Sequence, residues 1–142
     1  MVRNLLLISN SKTKEQPNFL GYCQREVQEH FGSIERVLFI PYAEPSAIDG
    51  LILAERTDEY QSSIPTSRER RDAYTKLIRS RFEGMGYELL GIHETSDPVK
   101  AVEAAQGIFC GGGNTYDLWR GMEENYLIKP LQRRIAEGMP VS

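Results

Sequence analysis

The sequence predicts an α/β fold, a three-layer sandwich in which helices cover both faces of a mainly parallel sheet. Segments of strand length alternate with segments of helical periodicity along all 142 residues, which is the pattern of βαβ units. The strand-length segments are continuously apolar, as parallel strands are when both faces are buried. We therefore expect residues 1–142 to form a single domain, without internal repeats or linkers.

The first two strands are predicted at 5–8 and 37–40. Each is a run of four apolar residues that ends at a polar residue or a proline, which is typical of a buried strand. An apolar stripe with spacings of three and four predicts a helix between them. Its members are Leu20, Cys23, Val27 and Phe31. Gly32 then ends the helix, as glycine commonly does.

Residues 44–65 break this alternation. The part at 47–54 is apolar enough to pack against another element, whereas 55–63 is polar. We expect a long loop with some local helix. Loops of this length are often functional lids, and a surface insertion is the alternative.

A helix is predicted to begin after Thr66, because Thr66 and Glu69 have the spacing of a capping box. Its inner face is formed by Tyr74, Leu77, Ile78, Phe82 and Met85. The third strand is predicted at 87–91. A short helix follows, with an N-cap at Ser96 or Asp97 and Pro98 at its first position.

The fourth strand is predicted at 108–110, and three glycines follow it directly. Helices are predicted at about 115–124 and at 129–138. Residues 139–142 have the pattern of a fifth strand at its beginning. The strand and helix order thus continues to the last residue.

Composition excludes several classes of function. The net charge is −3 and the basic residues form no stripe, so we expect no nucleic-acid partner. The arginines at 68–71 are interrupted by acidic residues, which favours a solvated helix face. Cys23 and Cys110 have no metal-ligand spacing, and we expect both to be reduced and buried. The first apolar run is too short for a signal peptide or a membrane span, so we expect a soluble, cytoplasmic protein without metal.

The glycines at 111–113 lie where open α/β sheets bind ligands, beyond the carboxyl end of a strand. Glycine allows close approach to the backbone, and the amides of the following helix favour negative charge. A phosphate site fits poorly, because neither the lysine of a P-loop nor the third glycine of a dinucleotide site is present. The remaining alternatives are the oxyanion of an acyl transfer and a tight turn capped by Asn114.

Four segments resemble the peptidase E family of α-aspartyl dipeptidases. They are LLLISNS at 5–11, FIPYA at 39–43, GIHETSDP at 91–98 and GGGNTYDL at 111–118. The resemblance implies a class I glutamine amidotransferase-like fold, no cofactor, and a serine peptidase that cleaves dipeptides with an N-terminal aspartate. It also implies an oxyanion hole at Gly112, Gly113 and Asn114. Candidates for the edge of the same pocket are Asn10, Tyr42, His93 and Thr115.

The family's nucleophile lies in a Gly-x-Ser-x-Gly elbow after the fifth strand, and here that elbow would begin within about a residue of Ser142. The resemblance therefore implies an N-terminal part that is truncated before the elbow, lacks the triad and is inactive alone. The alternative is a shortened relative that acts as a small-molecule or protein binding module. A nucleotide-binding domain is a third, weaker alternative.

We expect none of the residues present to replace the nucleophile or its base. Ser142 lies on the strand, His93 is expected to anchor a loop, and His30 is expected to be solvated at a helix end. Cys110 is expected to be packed, because a strand-end thiol without a paired base is a poor nucleophile. A parallel sheet cut at its fifth strand would also present an unpaired edge, through which we expect the chain to self-associate.

Overall fold

The computed structural model describes residues 3–8, 20–56 and 63–142. Its sheet has the strand order β2-β1-β3, and both pairings are parallel. The strands are β1 (Arg36–Ile40), β2 (Glu88–Gly91) and β3 (Ile108–Cys110). The helices are α1 (Gln24–Phe31), α2 (Ala47–Glu55), α3 (Ser67–Gly84), α4 (Pro98–Ala104), α5 (Thr115–Glu124) and α6 (Ile128–Ala136). This arrangement confirms the predicted α/β fold.

Two apolar clusters lie on opposite faces of the sheet, and β1 contributes to both. Val37 and Phe39 belong to the cluster under α1, α2 and α3, whereas Leu38 and Ile40 belong to the cluster under α4, α5 and α6. Alternate side chains of a strand point to opposite faces, so a strand between two helical layers must be apolar throughout. The three-layer sandwich is therefore confirmed. Among the described residues, no helix is both long and apolar enough to cross a membrane.

The predicted fifth strand pairs with its neighbours on both sides. The amide of Ser142 donates to the Ile108 carbonyl at 2.9 Å, and the amide of Leu6 donates to the Val141 carbonyl at 3.0 Å. The expectation that this segment presents an unpaired edge is therefore wrong. Residues 4–6 pair with the outer side of this segment. Self-association of the chain stays a prediction.

The prediction of a buried first strand at 5–8 is also wrong. Leu5 forms only an isolated bridge to Val141, and Leu5 and Leu7 are 47% and 90% exposed. Among the described residues, the segment has one neighbour in the sheet, the segment at 139–142, instead of two. An apolar run of four residues does not distinguish this edge position from a central one.

Local signals place the helix ends correctly. The Glu69 amide donates to Thr66 Oγ1 at 3.2 Å and the Thr66 amide donates to Glu69 Oε2 at 2.7 Å, which completes the capping box at the start of α3. Asp97 caps α4 by accepting from the Lys100 amide at 3.2 Å. Gly32 follows α1 with φ at 61°, a left-handed conformation that favours glycine.

The local helix expected within 44–65 is α2. Ile48 and Ile52 of α2 are buried, and Arg70 of α3 binds the Asp49 carboxylate with donor–acceptor distances of 2.7 and 3.2 Å. This two-point ion pair fixes α2 on α3. Residues 57–62 lie outside the described part of the chain, and the role of the segment as a lid stays a prediction.

His30 is half-buried, not solvated as expected. Its Nε2 lies 3.0 Å from the Val141 carbonyl, so an Nε2–H donates to the segment that continues the sheet. Because the side chain packs between α1 and this segment, burial is the main cause that lowers the pKa of His30 below 6.5.

We expect the free energy of unfolding to depend on pH through His30. The folded protein favours the neutral imidazole, so it binds fewer protons than the unfolded chain between the two pKa values. This contribution is complete above pH 6.5 and decreases as the pH falls toward the lower, folded pKa. Urea unfolding at about pH 7.5 and about pH 5 measures it. His30→Gln, which keeps a donor but does not titrate, should show a smaller pH dependence, and an equal dependence in both proteins would contradict the assignment.

Candidate functional site

The carboxyl ends of the three parallel strands meet at one edge of the sheet, and the glycine-rich loop 111–114 lies there. Two backbone hydrogen bonds join the loop to the last residue of β1 and to the segment that follows it. The Gly111 amide donates to the Ile40 carbonyl at 3.0 Å, and the Asn114 amide donates to the Ala43 carbonyl at 2.9 Å. The loop is thus held at both ends against the chain that leaves the central strand.

Each of the three glycines meets different surroundings. A Cβ on Gly111 would lie 2.5 Å from Tyr74 Cε1, so the tyrosine ring occupies that space. Gly113 has φ at 146°, and a Cβ there would lie 2.6 Å from the Ala43 carbonyl oxygen. Gly112 is exposed, and a Cβ there would meet no described atom within 4 Å. Packing and backbone conformation explain Gly111 and Gly113, whereas Gly112 faces open space in which a ligand can approach the backbone.

The amides of Gly112 and Gly113 have no hydrogen-bond partner among the described residues. The predicted third donor, Asn114, differs, because its amide is occupied by the Ala43 carbonyl. The Asn114 side chain caps α5 by accepting from the Asp117 amide at 3.1 Å, as the tight-turn interpretation expected. Of the three predicted donors, the amides of Gly112 and Gly113 are therefore the two without a partner among the described residues.

Helix α5 begins directly after the loop. The aligned peptide dipoles of its ten residues place partial positive charge at this end, which favours an anion beside the loop. Thr115, a candidate for the pocket edge, is the exposed first residue of the helix. The loop and the helix end therefore combine two sources of attraction for negative charge.

A cleft of about 390 Å³ lies between the segments that follow β1 and β2. It is lined by Tyr42, Arg68, Arg71, His93, Thr95, Ser96, Pro98 and Asn125. The structure thus brings together two predicted edge residues, Tyr42 and His93. Thr115 does not line this cleft, and Asn10 lies outside the described residues.

His93 joins the β2 end to α3. Its side chain is 9% exposed, and Nε2 lies 2.8 Å from Asp72 Oδ1. Nδ1 is buried and has no partner among the described atoms. The ring is held in place by a carboxylate of the neighbouring helix, which agrees with the anchoring role expected for it.

Arg71 is a residue of the cleft that the sequence interpretation missed. Its guanidinium lies over the Tyr42 ring, 4.8 Å from the ring centroid, and 3.4 Å from Glu44 Oε2. The expectation of a solvated arginine face is wrong for Arg70 and Arg71, whose side chains are 25% and 28% exposed. Arg71 precedes buried Tyr74 by three residues, which places both on the same face of α3. If the inner stripe of α3 is extended by one turn toward its start, it predicts that Arg71 faces inward.

Cys110 precedes the glycines but is unsuited to be a nucleophile. The residue is half-buried, and burial of the thiol raises its pKa to about 12, so it is protonated at neutral pH. Ser142 pairs with β3 through its backbone and lies on the sheet, as expected. Neither residue has the setting of an activated nucleophile.

Comparisons with known proteins agree with the motifs. The chain is 30% identical over 141 residues to "Probable alpha-aspartyl dipeptidase" of Drosophila melanogaster, covering 97% of this chain and 48% of that protein. It is 28% identical over 141 residues to peptidase E of Nostoc sp., covering 99% of this chain and 49% of that protein. The chain therefore spans about half the length of the curated relatives it matches.

The solved structures include a similar fold. A crystal structure from Listeria monocytogenes EGD-e, named as a peptidase E protein, matches with a TM-score of 0.53 and 19% identity. The match covers 83% of this chain and 50% of that one, and supports the glutamine amidotransferase-like fold. The model of peptidase family S51 matches residues 62–142, which include α3, the cleft arginines and the glycine loop. The chain belongs to peptidase family S51.

Proposed function

We propose that this chain supplies the oxyanion-binding part of a serine-type dipeptidase that hydrolyses dipeptides with an N-terminal aspartate. The observation that carries the proposal is the pair of adjacent amides at Gly112 and Gly113, which lack partners among the described residues and sit beside a side-chain-free space. The names of the relatives support the substrate class.

The chemistry follows from the geometry. Attack on the scissile carbonyl converts its oxygen into an oxyanion, and fixed N–H donors about 2.7–3.1 Å away stabilise that charge. The positive end of α5 adds to the stabilisation. Because Gly112 carries no side chain, the carbonyl oxygen of a substrate can approach the loop backbone closely enough for both amides to donate to it.

The nucleophile is a separate requirement. The 142 residues contain no Gly-x-Ser-x-Gly sequence. In triad peptidases the loss of the nucleophile lowers kcat by about 10⁶, so we propose that the 142 residues alone do not measurably hydrolyse dipeptides. The activity tests below use an extended chain, in which a Gly-x-Ser-x-Gly segment and the residues after it follow Ser142. These added residues are taken from the source gene or from a peptidase E relative.

Hydrolysis of Asp-Leu and Ala-Leu by the extended chain tests the proposal. We expect Asp-Leu to be cleaved and Ala-Leu to be cleaved at least about tenfold more slowly. Replacing the elbow serine by alanine should abolish the reaction. Cleavage that survives this replacement, or an extended chain that folds and cleaves neither dipeptide, would overturn the proposed function.

A second candidate function is binding without hydrolysis, which the cleft favours. Arg71 and Ser96 line a space of about 390 Å³ and offer donors of the kind that a small carboxylate needs. Calorimetric titration of the 142-residue chain with Asp-Leu tests this function. Binding that is lost in Arg71→Met would support it, and absence of binding would remove it.

A further inference from the structure

We propose that Tyr74 is a positioning residue, which holds the Gly112 carbonyl and thereby turns the Gly113 amide toward the reacting carbonyl oxygen. The inference rests on the proposed function of the glycine loop. It assigns a role to a helix residue that contacts no substrate and acts through the backbone alone.

The Tyr74 hydroxyl sets the orientation of the Gly112–Gly113 peptide plane. The Tyr74 hydroxyl donates to the Gly112 carbonyl at 3.1 Å. The Gly112–Gly113 peptide is trans, and in a trans peptide the carbonyl and the following N–H point in opposite directions. A carbonyl directed at α3 therefore requires that the Gly113 N–H points away from α3, toward the open side of the loop.

Without the Tyr74 hydrogen bond, the plane of the Gly112–Gly113 peptide would be free to rotate. The ends of the loop are held by the amides of Gly111 and Asn114, which donate to Ile40 and Ala43. Between these two points the Gly112–Gly113 peptide is flanked by residues without Cβ atoms, so rotation of its plane meets little steric resistance. In the described part of the chain, Tyr74 is the side chain that binds this peptide.

The Tyr74 side chain is itself held rigidly. The residue is 1% exposed, its ring packs edge-on against Phe39 at a centroid distance of 5.1 Å, and the same ring fills the space beside Gly111. Burial also raises the pKa of the Tyr74 hydroxyl, so the donor keeps its proton throughout the neutral range. The hydroxyl is thus a fixed donor, as a positioning group must be.

The experiment uses the 142-residue chain labelled with glycine that carries ¹³C at the carbonyl and ¹⁵N at the amide. Among the 12 glycines, adjacent pairs occur only at 111–112 and 112–113. An HNCO spectrum, which requires a labelled carbonyl followed by a labelled amide, therefore shows only the Gly112 and Gly113 amides. Tyr74→Phe keeps the ring and removes the hydroxyl.

The matched control is Tyr87→Phe. The Tyr87 hydroxyl donates to the Gly32 carbonyl at 2.8 Å, so this variant also loses a tyrosine–glycine hydrogen bond, but at the opposite end of the sheet. We expect Tyr74→Phe to shift the Gly112 carbonyl resonance and to broaden the Gly113 amide through exchange, while Tyr87→Phe leaves both resonances unmoved. An unshifted Gly112 carbonyl in Tyr74→Phe overturns the proposal, whatever the activity.

Two further measurements complete the test. In the unmodified chain, residual dipolar couplings give the orientation of the Gly112–Gly113 plane directly, and a plane turned with its N–H toward α3 overturns the proposal. In the extended chain we expect Tyr74→Phe to lower kcat by about twofold to tenfold at unchanged KM, the effect of one hydrogen bond. An equal loss in Tyr87→Phe would show a merely structural role and overturn it. If the extended chain is inactive in every form, the result counts against the proposed function. The resonance shifts are measured without activity, so they still test the role of Tyr74 in that case.

Discussion

Replacing Gly113 by alanine is expected to lower kcat of the extended chain by about 10²–10³, the loss typical of removing one oxyanion donor. With φ at 146°, Gly113 has a backbone conformation that alanine avoids, and the added Cβ would lie 2.6 Å from the Ala43 carbonyl oxygen. The loop must therefore move away from Ala43, and the Gly113 amide loses its orientation.

Two alanine variants control this prediction. Gly84→Ala lies at the end of α3, where the new Cβ meets no described atom within 4 Å, and it should keep full activity. Gly112→Ala is also free of contacts, so it should fold normally, but its methyl group enters the space proposed for the substrate and should lower kcat/KM. Normal turnover by Gly113→Ala would remove this loop from the mechanism.

Replacing Phe82 by alanine is expected to lower the free energy of unfolding by about 3–5 kcal/mol. Phe82 is fully buried between α3 and the sheet, and its ring centroid lies 5.0 Å from Phe109 and 5.9 Å from Phe31. Removing the ring leaves a cavity at the centre of one core. A domain is typically stable by about 5–15 kcal/mol, so the variant should lose a large fraction of its stability.

Urea unfolding of Phe82→Ala and Tyr126→Ala measures this effect. Tyr126 is 81% exposed, so its replacement should change the free energy of unfolding by at most about 0.5 kcal/mol. The comparison separates loss of core packing from loss of an aromatic ring as such. Equal midpoints in the two variants would contradict the position of Phe82 in the core.

The fold could be predicted from the sequence because its signals are local and strong. The capping box at Thr66, the Asp97–Pro98 start of α4 and Gly32 after α1 each act within a few residues. Chain order and periodicity then suffice for a parallel sheet between two helical layers. The first strand was predicted wrongly because its burial depends on how many neighbours the sheet provides, which four apolar residues do not encode.

The site could be predicted only in part. Motif resemblance located the glycine loop, but not that the Asn114 amide is occupied by Ala43 or that Tyr74 binds Gly112. The latter contact joins residues 38 positions apart, and no periodicity indicates it. The three glycines look equivalent in the sequence, whereas in the structure only Gly112 lacks a packing or conformational reason.

The proposed mechanism depends on the binding of the oxyanion by the amides of Gly112 and Gly113. Its most direct test is a crystal structure of the extended chain after reaction with an aspartyl boronic acid, whose tetrahedral boronate imitates the intermediate on the elbow serine. We expect a boronate oxygen about 2.7–3.1 Å from the Gly112 and Gly113 nitrogens. A boronate whose oxygens are bound elsewhere, with both glycine amides facing solvent, would contradict it.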